Sequence, residues 1–206
     1  LEIFLSFAII HLFNFFKKLG KPIVWTLHDC WTFTGHCPYF TKSGCEKWRS
    51  SCGNCPSLLD YPASWIVDRT RKNFIDKRES FTGVKDLILV APSQWLVDLT
   101  RDSFLQEYPA VVIPNGIKLD DIKGTKDLEL RHKIARGKKY VFLAVAGVWD
   151  DRKNLNAVNQ AADKFKDVAS TVVVGKIKGR SNQLADSILH IPHTYDRQYL
   201  MDLFAS

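Results

Sequence analysis

Six short apolar runs, each closed by a turn signal, constrain this chain more than any other feature. They are 23-IVWTLHD-29, 87-LILVAPS-93, 110-AVVIPNG-116, 140-YVFLAVAG-147, 170-STVVVGK-176 and 187-SILHIP-192. Runs this short, continuous and rich in β-branched residues suit strands buried on both faces of a parallel sheet. Parallel neighbours cannot be joined by a tight hairpin, so a crossover, usually helical, must separate them. The intervening sequence supplies it. A helix is expected over 62–80, with Pro62 near its first turn and Trp65, Ile66, Arg69, Phe74 and Lys77 along it. Others are expected over 94–105, with Ser93 as N-cap, over about 153–166, and from Asp196 onward. The polar stretch 117–139 reads as a linker holding one short helix. The fold class is therefore α/β, in two parallel-sheet units spanning 1–116 and 117–206.

Residues 1–16, LEIFLSFAIIHLFNFF, are strongly apolar, yet a membrane span needs about 20 such residues. Lys17 and Lys18 follow the run, whereas a signal peptide carries its cations before the apolar core. A buried helix is the expectation, stopped by 17-KKLGKP-22. The net charge of +7 favours anionic partners such as phosphates, nucleotides or an acidic membrane surface. Nucleic-acid binders cluster their cations on one face with interleaved aromatics. Here Lys and Arg spread over helices and linker, so no nucleic-acid partner is expected.

Ligands of open parallel sheets gather outside the carboxyl ends of the strands. Three polar clusters fall there: His28-Asp29, Ser93 and Asn115-Gly116. A fourth, 149-WDDRKN-154, opens the second unit's first crossover, and all four are expected to face one cleft. A histidine leaving a buried strand can orient a substrate hydroxyl or share its proton. Arg152 and Lys153 stand where strand gives way to helix, a position whose free N–H groups and partial positive charge suit a diphosphate. The GxxxxGK spacing of a P-loop is missing.

All five cysteines lie between residues 30 and 55. Cys37, Cys45, Cys52 and Cys55 are spaced C-x7-C-x6-C-x2-C, and the terminal C-x2-C is a common zinc half-site. His36 is a substitute ligand, and Cys30 stands apart beside His28. Spacing leaves structural zinc, disulfides and free thiols open, with zinc the leading expectation. A catalytic thiol with His28 as its base is a further alternative.

Four segments together resemble bacterial retaining glycosyltransferases of the GT-B group, most closely those of colanic-acid, exopolysaccharide and capsule gene clusters. They are 25-WTLHDCWTFTGHCPYF-40 with the later Cys45, Trp48, Cys52 and 55-CP-56; 91-APSQWL-96; 112-VIPNGI-117; and 147-GVWDDRKNL-155. The resemblance implies two Rossmann-like domains, the first on the acceptor side and the second on the nucleotide-sugar side. It implies hexosyl-type transfer, with retention, from a nucleotide-sugar donor to a glycan or lipid-linked glycan, without a catalytic metal. By match to the family motifs, His28 would lie near the transferred sugar, Lys153 with Arg152 would hold the donor diphosphate, and Asn115-Gly116 would form the interdomain turn. Asp29 and Ser93 would be cleft residues. A cytoplasmic enzyme, peripheral at the inner face of the membrane, is the expected setting.

The departures from the pattern matter too. Nothing before residue 21 matches the family's opening strand and glycine-rich loop. No Glu-x7-Glu motif follows the second unit, since the last glutamate is Glu129. Lys118 and Val148 stand where the family usually has Asp and Arg. A piece of a longer enzyme, inactive or nearly so by itself, is the expectation. The rival readings are a non-enzymatic zinc-binding module with a basic anion-binding surface, and a secreted disulfide-linked binding domain. The odd cysteine count and the lack of a signal segment speak against the last.

Overall fold

The computed structural model describes residues 2–64, 67–118, 124–150, 153–178 and 183–206, with only the backbone described for residues 2–8. The chain divides into two compact units, Leu1–Gly116 and Ile117–Ser206. Each is built on a three-stranded parallel sheet.

In the first unit β1 (Ile23–Thr26), β2 (Leu87–Ala91) and β3 (Ala110–Val112) lie in the order β1-β2-β3. Thr26 pairs with Val90 and Ala91 with Val112, so the carboxyl ends of the three strands leave the sheet along one edge. Three helices surround them: α1 (Glu2–Leu19), α2 (Thr70–Phe81) and α3 (Gln94–Arg101). An aromatic knot ties α1 and α2 to the sheet. The Phe13 ring lies 4.3 Å from Trp25 and 4.7 Å from Phe81, and Trp25 lies 4.9 Å from Phe81.

Three sequence expectations need correction. The first helix is not buried all round: Phe13 is buried, but Leu12, Phe15 and Leu19 are exposed. One face suffices to meet α2 and the knot, with Ile9 and Phe16 packing beside Phe13 while Leu12, Phe15 and Leu19 stay in solvent. The second helix starts at Thr70 rather than near Pro62. Up to residue 64 the chain is held in turns, with Ser64 N–H donating to Leu58 O at 2.9 Å. The Asp68 carboxylate then takes Thr70 N–H at 2.8 Å and Cys55 N–H at 3.0 Å, so it starts the helix and fastens the cysteine loop to it. Trp65 and Ile66 lie outside the described residues. The third helix ends at Arg101, short of 105, because the Ser103 hydroxyl donates to Thr100 O and accepts from Leu105 N–H. Those bonds tighten the chain into turns.

In the second unit β4 (Tyr140–Trp149), β5 (Ala169–Ile177) and β6 (Ile188–Ile191) lie in the order β4-β5-β6, with α4 (Leu128–Ala135), α5 (Leu155–Phe165) and α6 (Arg197–Ala205). The central β5 is buried from Ala169 to Gly175, as its unbroken apolar run demands. Asp127 and Asp196 cap α4 and α6 by accepting N–H bonds from Leu130 and Tyr199, each at 3.0 Å.

The aromatic knot yields a prediction. Phe13→Ala empties a buried ring site and should destabilise the first unit by about 3–5 kcal/mol. A urea midpoint indistinguishable from that of the parent chain would show that α1 is an appendage rather than part of the core.

Candidate functional site

The first unit gathers its polar residues at the carboxyl edge of the sheet. Leu27 N–H still bonds to Val90 O at 2.8 Å, and the chain then turns out of the sheet at His28, which is exposed. Asp29 sets that turn by accepting Trp31 N–H at 2.8 Å. On the neighbouring strand Ser93 caps α3, its hydroxyl accepting Leu96 N–H at 3.4 Å. Asn115 and Gly116 are exposed just beyond β3, whose exit is held by Ile113 N–H on Ala91 O at 3.0 Å. Adjacent strands are about 4.8 Å apart. His28-Asp29, Ser93 and Asn115-Gly116 thus follow three successive strands of one ladder.

What holds the turn beside His28 is a buried lysine. Lys77, on α2, is 1% exposed. Its ammonium donates to Trp31 O at 2.6 Å and Thr34 O at 3.0 Å, and lies 3.4 Å from the centre of the Trp31 ring. Two carbonyls and a cation–π contact replace its lost water. Gly35 completes the seam. A Cβ there would stand 2.0 Å from Thr70 O, so only glycine lets the loop lie against the start of α2. The sequence places Lys77 on a helix, but nothing in it separates this lysine from a solvent-facing one.

The cysteine loop is a small core of its own. Trp48 is buried, stacks on Phe40 at 4.9 Å and meets Phe33 at 5.4 Å. No disulfide joins any of the five cysteines. His36, Cys37, Cys45, Cys52 and Cys55 line one hollow of about 10 Å³. As placed, no three His, Cys, Asp or Glu side chains among the described residues form a metal-holding set. Burial, reinforced by neighbouring thiols, pushes Cys37 up to about 12, and burial lifts Cys52 to about 11. Cys30 is pushed up to about 12 by burial and then by the Asp29 charge, the surroundings of a structural rather than a reactive thiol. Burial pushes the Asp68 carboxyl up, but hydrogen bonds from Thr70 and Cys55 outweigh it and hold the group below its usual range.

The second unit carries Lys153, exposed in the turn between β4 and α5. Arg152 lies outside the described residues. Lys153 N–H donates to Asp150 O at 2.9 Å, and Asn154, with φ of 51°, caps α5 by accepting Ala157 N–H at 3.3 Å. A β-bulge aims this turn. Val145 pairs with Val174 and Val148 with Lys176, leaving Ala146 and Gly147 opposite Gly175 alone. Gly175 has φ of +125°, and a Cβ on it would stand 1.8 Å from Ala146 O. His190 Nε2 meets Gly175 O at 2.8 Å, Trp149 Nε1–H donates to Val174 O at 2.9 Å, and Lys178 N–H donates to Trp149 O at 3.0 Å. A lone glycine in a strand pattern is a bulge signal, so this feature was within reach of the sequence.

Another surface hollow of the first unit lies elsewhere. About 590 Å³ in volume, it is lined by Pro22, Gly83, Val84, Asp86, Leu87, Ile88, Glu107, Tyr108 and Pro109, at the amino ends of the first unit's strands. It is a shallow depression at the edge opposite His28.

No family model matches the chain. Over 67 residues, 31% of this chain and 16% of the relative, it is 43% identical to a protein of Escherichia coli (strain K12) called "Putative colanic acid biosynthesis glycosyl transferase WcaC". The likeness to bacterial glycosyltransferases read from the motifs is thus matched by a curated relative, of whose length the chain spans about a sixth. Among solved structures, the sucrose-phosphate synthase of Thermosynechococcus elongatus is similar over 73% of this chain and 40% of its own, with a TM-score of 0.49 and 15% identity.

Two substitutions test the site's scaffolding. Lys77→Met strands the buried Thr34 carbonyl, at about 1–3 kcal/mol, and the part-buried Trp31 carbonyl beside it. It should speed amide exchange across residues 31–37, and unchanged exchange there would remove Lys77 from its anchoring role. Gly175→Ala forces a side chain against the Ala146 carbonyl and should destabilise the second unit by about 1–3 kcal/mol. A thermal melt unaffected by it would contradict the bulge.

Proposed function

We propose that this chain serves a glycosyltransferase of bacterial surface-polysaccharide synthesis. It moves a sugar from a nucleotide-sugar donor to a glycan or lipid-linked glycan, with retention at the anomeric carbon, in a GT-B-type enzyme that needs no catalytic metal. The first unit takes the acceptor side and the second the nucleotide side. The observation that carries this reading is the 43% identity to the Escherichia coli relative, met in a chain whose His28, Ser93 and Asn115 motifs follow successive strands of one parallel sheet.

The chemistry follows from those positions. Glycosyl transfer from a nucleotide sugar builds negative charge on the departing diphosphate. Lys153, next to the free N–H groups that open α5, supplies fixed positive charge where that develops. Arg152 is its expected companion. His28, leaving β1 exposed and braced from below by the Lys77-held loop, orients the transferred sugar by hydrogen bonding to a hydroxyl. Ser93 and Asn115-Gly116 shape the same edge. No helix among the described residues is long and apolar enough to cross a membrane. Exposed Leu12, Phe15 and Leu19 beside Lys17 and Lys18, with the net charge of +7, suit peripheral contact with an anionic cytoplasmic membrane face carrying a lipid-linked acceptor.

The test is sugar transfer by the enzyme this chain serves, from a panel of labelled nucleotide sugars to lipid-linked oligosaccharides. His28→Ala should lower kcat about 10²–10⁴-fold while leaving nucleoside-diphosphate affinity unchanged. Lys153→Ala should weaken nucleoside-diphosphate binding about 10-fold or more, the worth of one charge-assisted hydrogen bond. A His28→Ala protein that transfers sugar at the parent rate would sink the assignment.

A further inference from the structure

We propose that Cys37, Cys45, Cys52 and Cys55 bind one structural zinc ion that fixes the loop beside the His28 strand. The site goes beyond glycosyl transfer and stands or falls independently of it.

The first ground is convergence. These cysteines are spread over residues 37–55, a stretch whose one regular piece is the short 3-10 turn Lys47–Arg49, yet all four line one hollow. Its volume, about 10 Å³, is near the room one water needs, and a zinc ion is smaller. The fifth cysteine, Cys30, is not among the residues lining it.

The second ground is the surroundings. Gly35 N–H donates to Cys52 Sγ at 3.1 Å. Backbone N–H bonds to sulfur favour thiolate and orient it toward a metal, as outer-shell donors do. Four thiolates and Zn²⁺ leave a net charge of −2, which burial penalises unless cations stand near. Two do. Lys47 lines the hollow itself, and the Lys77 ammonium donates at 3.0 Å to the carbonyl of Thr34, which also lines it. Lys47 also donates to Gly53 O at 3.0 Å and Asn54 O at 2.8 Å, bracing the turn between the last two ligands.

The third ground is access and balance. Cys45, Cys52 and Cys55 are only partly buried, which leaves an entry path. Binding transfers no electrons: zinc sheds water, each coordinating thiol releases its proton to solvent, and no oxidant is consumed. The thiols as placed do not yet form a ligand set. Binding therefore draws the sulfurs inward, which an irregular loop allows. His36 lines the same hollow and is the reserve ligand.

The experiment is elemental analysis of the full chain, purified under reducing conditions without chelator, followed by cobalt titration of the metal-stripped protein. We expect about one zinc per chain and the visible absorption of tetrahedral cobalt thiolate. Cys52→Ser and Cys55→Ser should lose both signals, while Cys30→Ser keeps them. Because a ligand variant can fail to fold, the cobalt spectrum of the unaltered chain carries the test by itself. Absence of zinc together with no thiolate spectrum overturns the proposal. So does mass spectrometry that finds these cysteines paired in disulfides, or zinc retained in full by both ligand variants.

Discussion

The parallel ladder of the first unit is the constraint on which the rest depends. Parallel strands deliver all their carboxyl ends to one edge, and each connection must travel back across the molecule before the next strand begins. The pairings Thr26 with Val90 and Ala91 with Val112 therefore do more than hold a sheet together. They set three otherwise distant motifs, around His28, Ser93 and Asn115, on neighbouring chain exits. A register slip of one residue would turn every side chain to the other face. The buried Leu87, Leu89, Val90 and Ala91 of the central strand resist such a slip.

Between β1 and β2 the connection is unusually long, and its first half contains little regular structure. Such a loop needs fasteners, and this one has three. Lys77 holds its start through Trp31 O and Thr34 O, Asp68 holds its end through Cys55 N–H, and Trp48 fills its centre. The fasteners explain how an exposed histidine can leave a short strand at a defined place. Its neighbours on the chain are tied down although His28 itself stays in solvent.

Much of this architecture was legible in the residues. Continuous β-branched runs marked all six strands, and Ser93 and Asp196 marked their helix starts through capping chemistry. The false start of α2 at Pro62 arose because proline suits a first helical turn but does not require one, and the side chain that starts the helix, Asp68, acts through a bond to a residue 13 positions away. Lys77 was hidden for a similar reason. Its partners sit more than 40 positions back, and no local pattern reveals a buried cation. The candidate site was legible as motifs on separate strands. Which strands neighbour each other came only from the ladder.

The central proposal is that each unit works at the carboxyl end of its own strands, at the His28 edge in the first and at the Lys153 turn in the second, rather than at the hollow on the first unit's amino edge. Hydrogen–deuterium exchange of the protein with and without a nucleoside diphosphate tests it most directly. The account predicts slowed exchange at 153–158, where α5 begins, and then in the loop that follows His28 when a nucleotide sugar is supplied. Protection confined to the hollow around Gly83, Asp86 and Tyr108 would contradict it.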